Sequence, residues 1–450
     1  MRYLIGLDIG TSSVKGVMMT VDGKITKEAH SVFNYKTDGR ITEISSENFL
    51  SSCVSAIKAL TDAVSDGEVL GICAASASGN LLLVDKSGKA TTPIINWQDT
   101  RVENEAREIL GDINVDELYN QTGWPFDYKT FPLAQACYLK KHSPDLLENC
   151  DKVCMSTEYL YYVMTGKWGI SSSAGTPFYF IDQVSGKYVT KLLEMLEIPE
   201  EKLPPIMPCG AVLGTTTTAF EEKTGIPSNI PVILGTFDHP SAARGAGVLN
   251  EGELLLSCGT SWVGFFPIRD REKIAKAKML IDPFLAPSGF WGAMTSVPSV
   301  SARIKLYTER YIDNTEKAFD ILSQLSLKSV EGAGGLKLNL FDEPCDEKIL
   351  SYPKEHIARA ISEGAVNLLK SKLDVLKKAG ISTNSAIMVG GPSENPVLVE
   401  LISQMCGFPV KVTHGASAGA VGAAIMAGIG IGEYKDEYHA QSLINRQTKE

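Results

Sequence analysis

A Gly-Thr-Ser phrase is written twice in this 450-residue chain. Leu7 to Val14 reads L-D-I-G-T-S-S-V, and Leu256 to Val263 reads L-S-C-G-T-S-W-V. Each copy ends an apolar, β-rich run, turns, and enters another. In the first turn, Gly10 allows a tight backbone, and Thr11 and Ser12 set hydroxyls beside exposed peptide N–H groups. That is a nest for phosphate oxygens. Lys15 could add positive charge, and Asp8, at the strand end, could hold a magnesium ion through waters. The second copy offers Gly259 and Thr260, with Ser257 where the first has Asp8. One copy alone is also an ordinary hairpin, because short glycine motifs recur by chance. Two copies point to a duplicated fold whose turns could grip a phosphate chain from both sides.

Three further places carry polar chemistry. Asp238 follows an apolar run in G-T-F-D-H-P-S-A-A-R-G-A-G and could accept a proton from a substrate hydroxyl. An Asp before Pro240 is equally a helix cap. Asp99 and Arg101, just after Trp97, could bind a polyhydroxyl ligand, or could cap a helix and form an ion pair. Gly390, Gly391 and Asn395 mark a strand-to-helix turn where a nucleotide could lie close to the backbone, or a plain turn.

The elements that must position these residues alternate between strand and helix. Strands are expected at Tyr3–Leu7, Ser13–Val21 and Ile25–Phe33, with Asp22-Gly23 as a tight turn. The spacing of Phe49, Cys53, Ile57 and Leu60 predicts a helix over 46–63. Val69–Ala75 and Val232–Gly235 read as buried strands, and 241–248 as a small-residue helix. Thr100 and Glu103 have capping-box spacing for a helix over 101–110. In the second half, helices are expected over 355–379 and 396–406, with a strand at 386–389. Residues 416–429 form a small-faced helix suited to close packing. The expected division is 1–248 as an N-terminal domain, 249–434 as a C-terminal domain and 435–450 as a peripheral tail. An α/β architecture of two similar domains with a cleft between them follows.

Composition narrows the function classes. A chain of this length exceeds one ordinary core. Hydrophobic residues are 44% and charged residues 21%, which is a globular composition. The net charge of −10 argues against a nucleic-acid partner. Nine scattered cysteines, among which Cys150 and Cys154 lack a partner pair at zinc-site spacing, fit buried thiols in a reducing cytoplasm. No signal peptide or bilayer-length apolar run is read, so the expected location is cytoplasmic, away from the membrane.

With these motifs in order, the sequence resembles the FGGY carbohydrate kinases over about Tyr3 to Gly432. The resemblance rests on L-D-I-G-T-S-S-V-K, I-N-W-Q-D-T-R, M-T-G at Met164–Gly166, the Asp238 segment, L-S-C-G-T-S, and G-A-V-G-A-A-I-M-A-G from Gly419. It implies an actin-like ATPase fold, two ribonuclease-H-like domains closing over MgATP and a sugar. It assigns Asp8, Gly10, Thr11 and Ser12 to one phosphate loop, and Gly259 and Thr260 to another. Gly390, Gly391 and Asn395 would lie along the α-phosphate and adenosine. Asp238 would be the general base. Ser78 and Gly79 fall at substrate-contacting positions, and Phe126 near an aromatic that faces the polyol. The chain departs from the family at Ile170-Ser171, where Thr-Asp is common, and in a short 338–344 segment without Pro-Tyr…Gly-Glu-Arg. It also lacks the Met-His pair of xylulokinases near Ser78, so xylulose is not the expected substrate.

The reading is an ATP- and Mg²⁺-dependent kinase acting on a hydroxyl of a ketose or polyol, with Asp238 as base. A non-catalytic actin-like ATP-binding sugar sensor or chaperone-type switch is the alternative. A phosphatase-like relative is a third. Homodimer formation is left open.

Overall fold

The computed structural model describes residues 1–62, 67–286, 288–413 and 417–447. Ala63, Ala416 and residues 448–450, which the expected elements included, lie outside them. The chain forms two compact units. The first is Met1–Gly247, Leu280–Pro287 and Ser417–Glu450; the second is Val248–Met279 and Ser288–Ala416.

The first unit opens with β1 (Arg2–Ile9), β2 (Ser13–Thr20) and β3 (Ile25–Val32), an antiparallel meander. Helix α1 (Ser46–Thr61) follows, capped by the Ser45 side chain accepting from Asn48 N–H. Strand β4 (Glu68–Ser76) then lies parallel to β1. Strand β5 (Val212–Thr215) pairs antiparallel with β6 (Pro231–Phe237), and β6 lies parallel to β4. The sheet order is β5-β6-β4-β1-β2-β3. Helix α2 (Asp238–Ala246) starts directly from the end of β6.

The second unit repeats this plan. Strands β7 (Glu253–Cys258), β8 (Trp262–Ile268) and β9 (Trp291–Val297) are an antiparallel meander. Helices α3 (Val300–Tyr311), α4 (Ala318–Lys328) and α5 (Lys354–Lys378) come next. Strand β10 (Ser385–Val389) lies parallel to β7. After α6 (Pro396–Cys406), β11 (Val410–Val412) lies parallel to β10. Neighbours within this sheet run β9-β8-β7-β10-β11. The first unit has the same sequence of strands and directions, β3-β2-β1-β4-β6. The duplication read from the Gly-Thr-Ser phrase is therefore a duplication of sheet topology.

The chain ends in α7 (Ala418–Gly430) and α8 (Glu437–Gln447), both in the first unit. This differs from the expected division, in which residues up to 434 belonged to the second domain and the rest formed a peripheral tail. The reason lies in β1. Its residues alternate between faces. Tyr3, Ile5, Leu7 and Ile9 join the core over α1, with Phe49, Cys53, Ile57 and Leu60. Leu4 joins the opposite core, formed with Ala420, Ala423, Ala424 and Ala427 of α7. A Cβ on Gly6 would sit 1.9 Å from the Ala420 carbonyl oxygen, so helix and strand touch backbone to backbone. Helix α8 is tied in as well: the Gln441 side chain donates to the Arg244 carbonyl at 2.6 Å, and Glu437 pairs with Arg244 at 2.9 Å. Of the cysteines, all but Cys209, Cys345 and Cys406 are buried.

Candidate active site

The same alternation that aims Leu4 and Gly6 at α7 aims Asp8 there. A Cβ on Gly419 would lie 2.5 Å from Asp8 Oδ2. Helix α7 meets α2 as closely: a Cβ on Gly422 would be 1.8 Å from the Ser241 carbonyl oxygen, and Ser241 Oγ donates to the Gly419 carbonyl at 2.8 Å. Small residues thus draw β1, α7 and α2 together, and with them Asp8 and Asp238. Asp8 Oδ1 is closed to solvent and has no hydrogen-bond partner. Burial pushes the Asp8 carboxyl up to about 7, the charge of Asp238 adds to this, and Lys15 opposes it. Lys15 stands directly across from Asp8 in the β1–β2 ladder.

Asp238 is the first residue of α2, and the helix carries no side-chain cap; Phe237 occupies the cap position. Asp238 Oδ1 accepts its neighbour's N–H, from His239 at 2.7 Å. Burial raises its carboxyl above the ordinary range, with His239 opposing. The capping role that the sequence left open is not the one Asp238 fills.

The first Gly-Thr-Ser turn closes with Gly10 N–H donating to the Ser13 carbonyl at 2.9 Å. Thr11 Oγ1 accepts from Trp97 Nε1 at 3.2 Å, and Ser12 is exposed. In the second, Gly259 N–H donates to the Ser261 carbonyl at 3.1 Å, while Ser301 Oγ donates to the Gly259 carbonyl at 2.7 Å. Gly259 and Thr260 are exposed. Neither Gly10 nor Gly259 has positive φ; a Cβ on Gly10 would crowd the Ser13 carbonyl at 3.3 Å, and one on Gly259 would make only ordinary contact.

Gly390 is different. Its φ is +94°, and a Cβ would fall 2.3 Å from the Cys258 carbonyl oxygen at the end of β7. Asn395 caps α6, its Oδ1 accepting from Val397 and Leu398 N–H at 3.0 and 3.3 Å, and its amide donates to Ser323 Oγ at 2.7 Å. Gly259, Thr260, Gly391 and Asn395 line one cavity of about 930 Å³, whose apolar walls include Ile304, Phe319 and Leu327. A cavity with an apolar wall and the exposed Gly259–Thr260 turn at one end suits an aromatic base carrying phosphates. Gly390→Ala should cost about 1–3 kcal/mol of stability through backbone strain. It should also raise the KM for ATP, read by thermal melts and by titration of ATP in an ADP-release assay.

Ser78 and Gly79 follow β4 with φ of +48° and +73°. Ser78 N–H donates to Ser76 Oγ at 3.0 Å. Asn80 and Ser156 hold this bend by two bonds, at 2.7 and 3.0 Å. Ser78, Asn80 and Ser156 line one cleft with Gly10, Thr11, Asn96 and Trp97. A Cβ on Gly79 would be 2.9 Å from Phe131, which stacks on Trp97 with ring centroids 6.3 Å apart. Phe126 lies further out in the same aromatic cluster, edge-on to Tyr179 at 5.7 Å.

Asp99 and Arg101 correct the sequence reading. Asp99 is fully buried and both its oxygens are engaged: Oδ2 accepts from Thr42 N–H at 2.8 Å, and Oδ1 from Arg101 N–H and Nε at 3.1 Å. Arg101 also pairs with Glu43 at 2.7 Å. With its oxygens and the guanidinium matched internally, the pair forms the ion pair that the sequence left open and secures the loop that presents Trp97. Thr100 makes no capping box either; the helix is Glu103–Leu110, with no side-chain cap. The sequence reading gave no individual role to Asn80, Asn96, Ser156, Ser241 or Gly419. Asn96, Ser241 and Gly419 stand inside motifs quoted above, whereas Asn80 and Ser156 carried no signal.

Among the described residues, no three His, Cys, Asp or Glu side chains cluster as a metal cage, and no helix is long and apolar enough to cross a membrane. A single unpartnered carboxylate oxygen at Asp8 fits a cation that keeps most of its waters.

Comparison with known proteins agrees with this arrangement. Residues 3–245 match the N-terminal domain model of the FGGY family of carbohydrate kinases, and residues 346–431 the C-terminal one. The chain belongs to the FGGY family of carbohydrate kinases. It is a sugar phosphotransferase with the family's mixed α/β, actin-like ATPase fold of two domains. It is 24% identical to an autoinducer-2 kinase of Klebsiella pneumoniae over 97% of this chain and 87% of that one. It is 24% identical to a xylulose kinase of Bacillus subtilis, covering 97% and 89%. In fold it is similar to a xylulose kinase from Rhodospirillum rubrum, with a TM-score of 0.88 at 22% identity over 98% and 92% of the two chains.

Proposed function

We propose that this carbohydrate kinase transfers the γ-phosphoryl group of ATP to a hydroxyl of a ketose or polyol, with Asp238 as general base. The observation that carries the reading is the pair Asp8 and Asp238. Two carboxylates in one another's field are a poor choice for stability, because like charges and burial both oppose ionisation. They are a good choice where one meets a cation and the other takes a proton.

Asp238 has an oxygen free of structural hydrogen bonds and could accept the proton as the substrate oxygen attacks phosphorus. The peptide N–H groups and hydroxyls at Gly10–Ser12 and Gly259–Thr260 would bind phosphate oxygens. Gly390, Gly391 and Asn395 would lie along the nucleotide. Asp8 would hold Mg²⁺, which when bound neutralises charge on the phosphates. Ser78, Gly79 and Trp97 would receive the sugar beside the first loop, with Phe126 in the surrounding aromatic wall. The ordinary chemistry of this transfer is positioning and charge neutralisation, which these groups supply.

The relatives' substrates differ, from xylulose to autoinducer-2 and L-fuculose. The sugar is therefore found by measuring ADP release with MgATP across pentuloses, hexuloses, polyols and aldonic acids. At least one should raise the rate well above that of ATP alone. A flat response over the whole panel would refute the proposal.

A further inference from the structure

One buried carboxylate has no part in the mechanism above. Asp282 is fully buried, and its Oδ1 has no hydrogen-bond partner. It lies in the short Leu280–Pro287 segment that belongs to the first unit although the chain on either side of it does not. Three of the bonds that hold this segment reach residues of the same unit. Ile281 N–H donates to the Gly123 carbonyl at 2.8 Å, Gln183 Nε2 donates to the Ile281 carbonyl at 2.8 Å, and Arg244 NH2 donates to the Phe284 carbonyl at 2.7 Å. Arg244 stands on α2, the helix that begins with Asp238.

The remaining oxygen of Asp282 accepts from Ser173 Oγ at 2.7 Å. Ser173 Oγ in turn accepts from the Phe237 N–H at 3.1 Å. Phe237 is the last residue of β6, in register with Ser76 of β4, and immediately precedes Asp238. Ser171 holds the same strand two residues back, donating to the Gly235 carbonyl at 2.6 Å. A buried carboxylate with an unmatched oxygen is costly. An Asn at 282 could accept the same hydroxyl without a charge. Burial also pushes the Asp282 carboxyl up to about 7, against the pull of Ser173 and Arg244 and with a push from Asp238.

We infer that Ser173 and Asp282 are positioning residues for Asp238: they fix the peptide from which the base projects, and Arg244 ties the same segment to the base's own helix. This rests on Asp238 being the base. Misplacing a reacting group by about 1 Å can cost on the order of 100-fold in rate. Close packing of α2 on α7 fixes the base from the helix side, and Ser173 and Asp282 fix it from the strand side.

The test uses the full chain, MgATP and the most active sugar of the panel. Ser173→Ala and Asp282→Leu should each lower kcat by about 10- to 100-fold. The KM for ATP and calorimetric ATP affinity should stay at the wild-type values. Ser173→Thr and Asp282→Asn, which keep the bonds, should restore most of kcat. The double variant Ser173→Ala/Asp282→Leu should be no slower than the worse single one, as expected for two members of one relay. Wild-type kcat in both Ser173→Ala and Asp282→Leu, with Asp238→Asn inactive, would overturn the relay alone. So would additive losses that track a fall in Tm and ATP affinity, which mark a merely structural role. Wild-type turnover in Asp238→Asn would overturn the base assignment and the relay with it.

Discussion

Asp238→Asn should lower sugar-dependent ADP formation by about 10²- to 10⁴-fold, the usual worth of a positioned general base. ATP affinity should be unchanged, because the residues assigned to ATP are elsewhere. The substitution is nearly isosteric, and the amide oxygen can still accept the His239 N–H that Asp238 accepts now. The folded chain should therefore survive, and be slightly more stable, since a carboxyl that burial raises has been replaced by a neutral group. The measurement is steady-state kinetics with a parallel calorimetric titration of ATP. A loss of kcat with intact ATP binding fits the base. Loss of both would point to a collapsed site, and loss of neither would remove Asp238 from the mechanism.

Asp8→Asn should have the second-largest effect, and it should divide stability from function. The sign follows from the shift. The Asp8 carboxyl is raised from 3.8 to about 7 in the folded chain, so the native state binds the proton more tightly than the unfolded one. Raising the pH from about 4 to about 7 therefore erodes stability through this group, and the full cost is present above about pH 7. Asn removes the ionisation. The variant should gain about 2 kcal/mol over wild type near pH 8 and nothing near pH 4; the full shift would be worth about twice that, reduced here for partial solvent access. Turnover should fall steeply, and the response of the remaining activity to Mg²⁺ should flatten. Urea melts at the two pH values and a Mg²⁺ titration of activity test this. A variant less stable than wild type at high pH would contradict the role of burial and of Asp238's charge.

The two hairpins were legible because their determinants are local. A Gly-Thr-Ser turn between two apolar runs fixes a hairpin, and the same signal appeared at both positions. The alternation of strands and helices followed from hydrophobic period and length, whereas strand order and direction depend on pairings distant in the chain. What failed was long-range. The Gly/Ala run at 418–430 announces a helix that packs tightly, but not which sheet it packs on; that is set by Gly6 of β1, more than four hundred residues earlier in the chain. Asp99 and Arg101 stayed open in the sequence because an acid and a base two apart look alike whether they meet a ligand or each other; the ion pair with Thr42 N–H and Glu43 beside it is visible only in the structure. Ser173 and Asp282 left no signal, since their bond joins residues 109 apart and neither stands in a motif. Asp238 was legible as a residue of interest, and the missing cap at α2 is what separates it from an ordinary helix start.

The central claim is that the γ-phosphoryl group ends on a sugar oxygen. Phosphorus NMR of the wild-type enzyme with MgATP and its best acceptor follows this directly. A phosphomonoester resonance should grow in step with ADP, split by the protons of the carbon that bears it. Growth of inorganic phosphate in step with ADP, with no sugar ester, would contradict it.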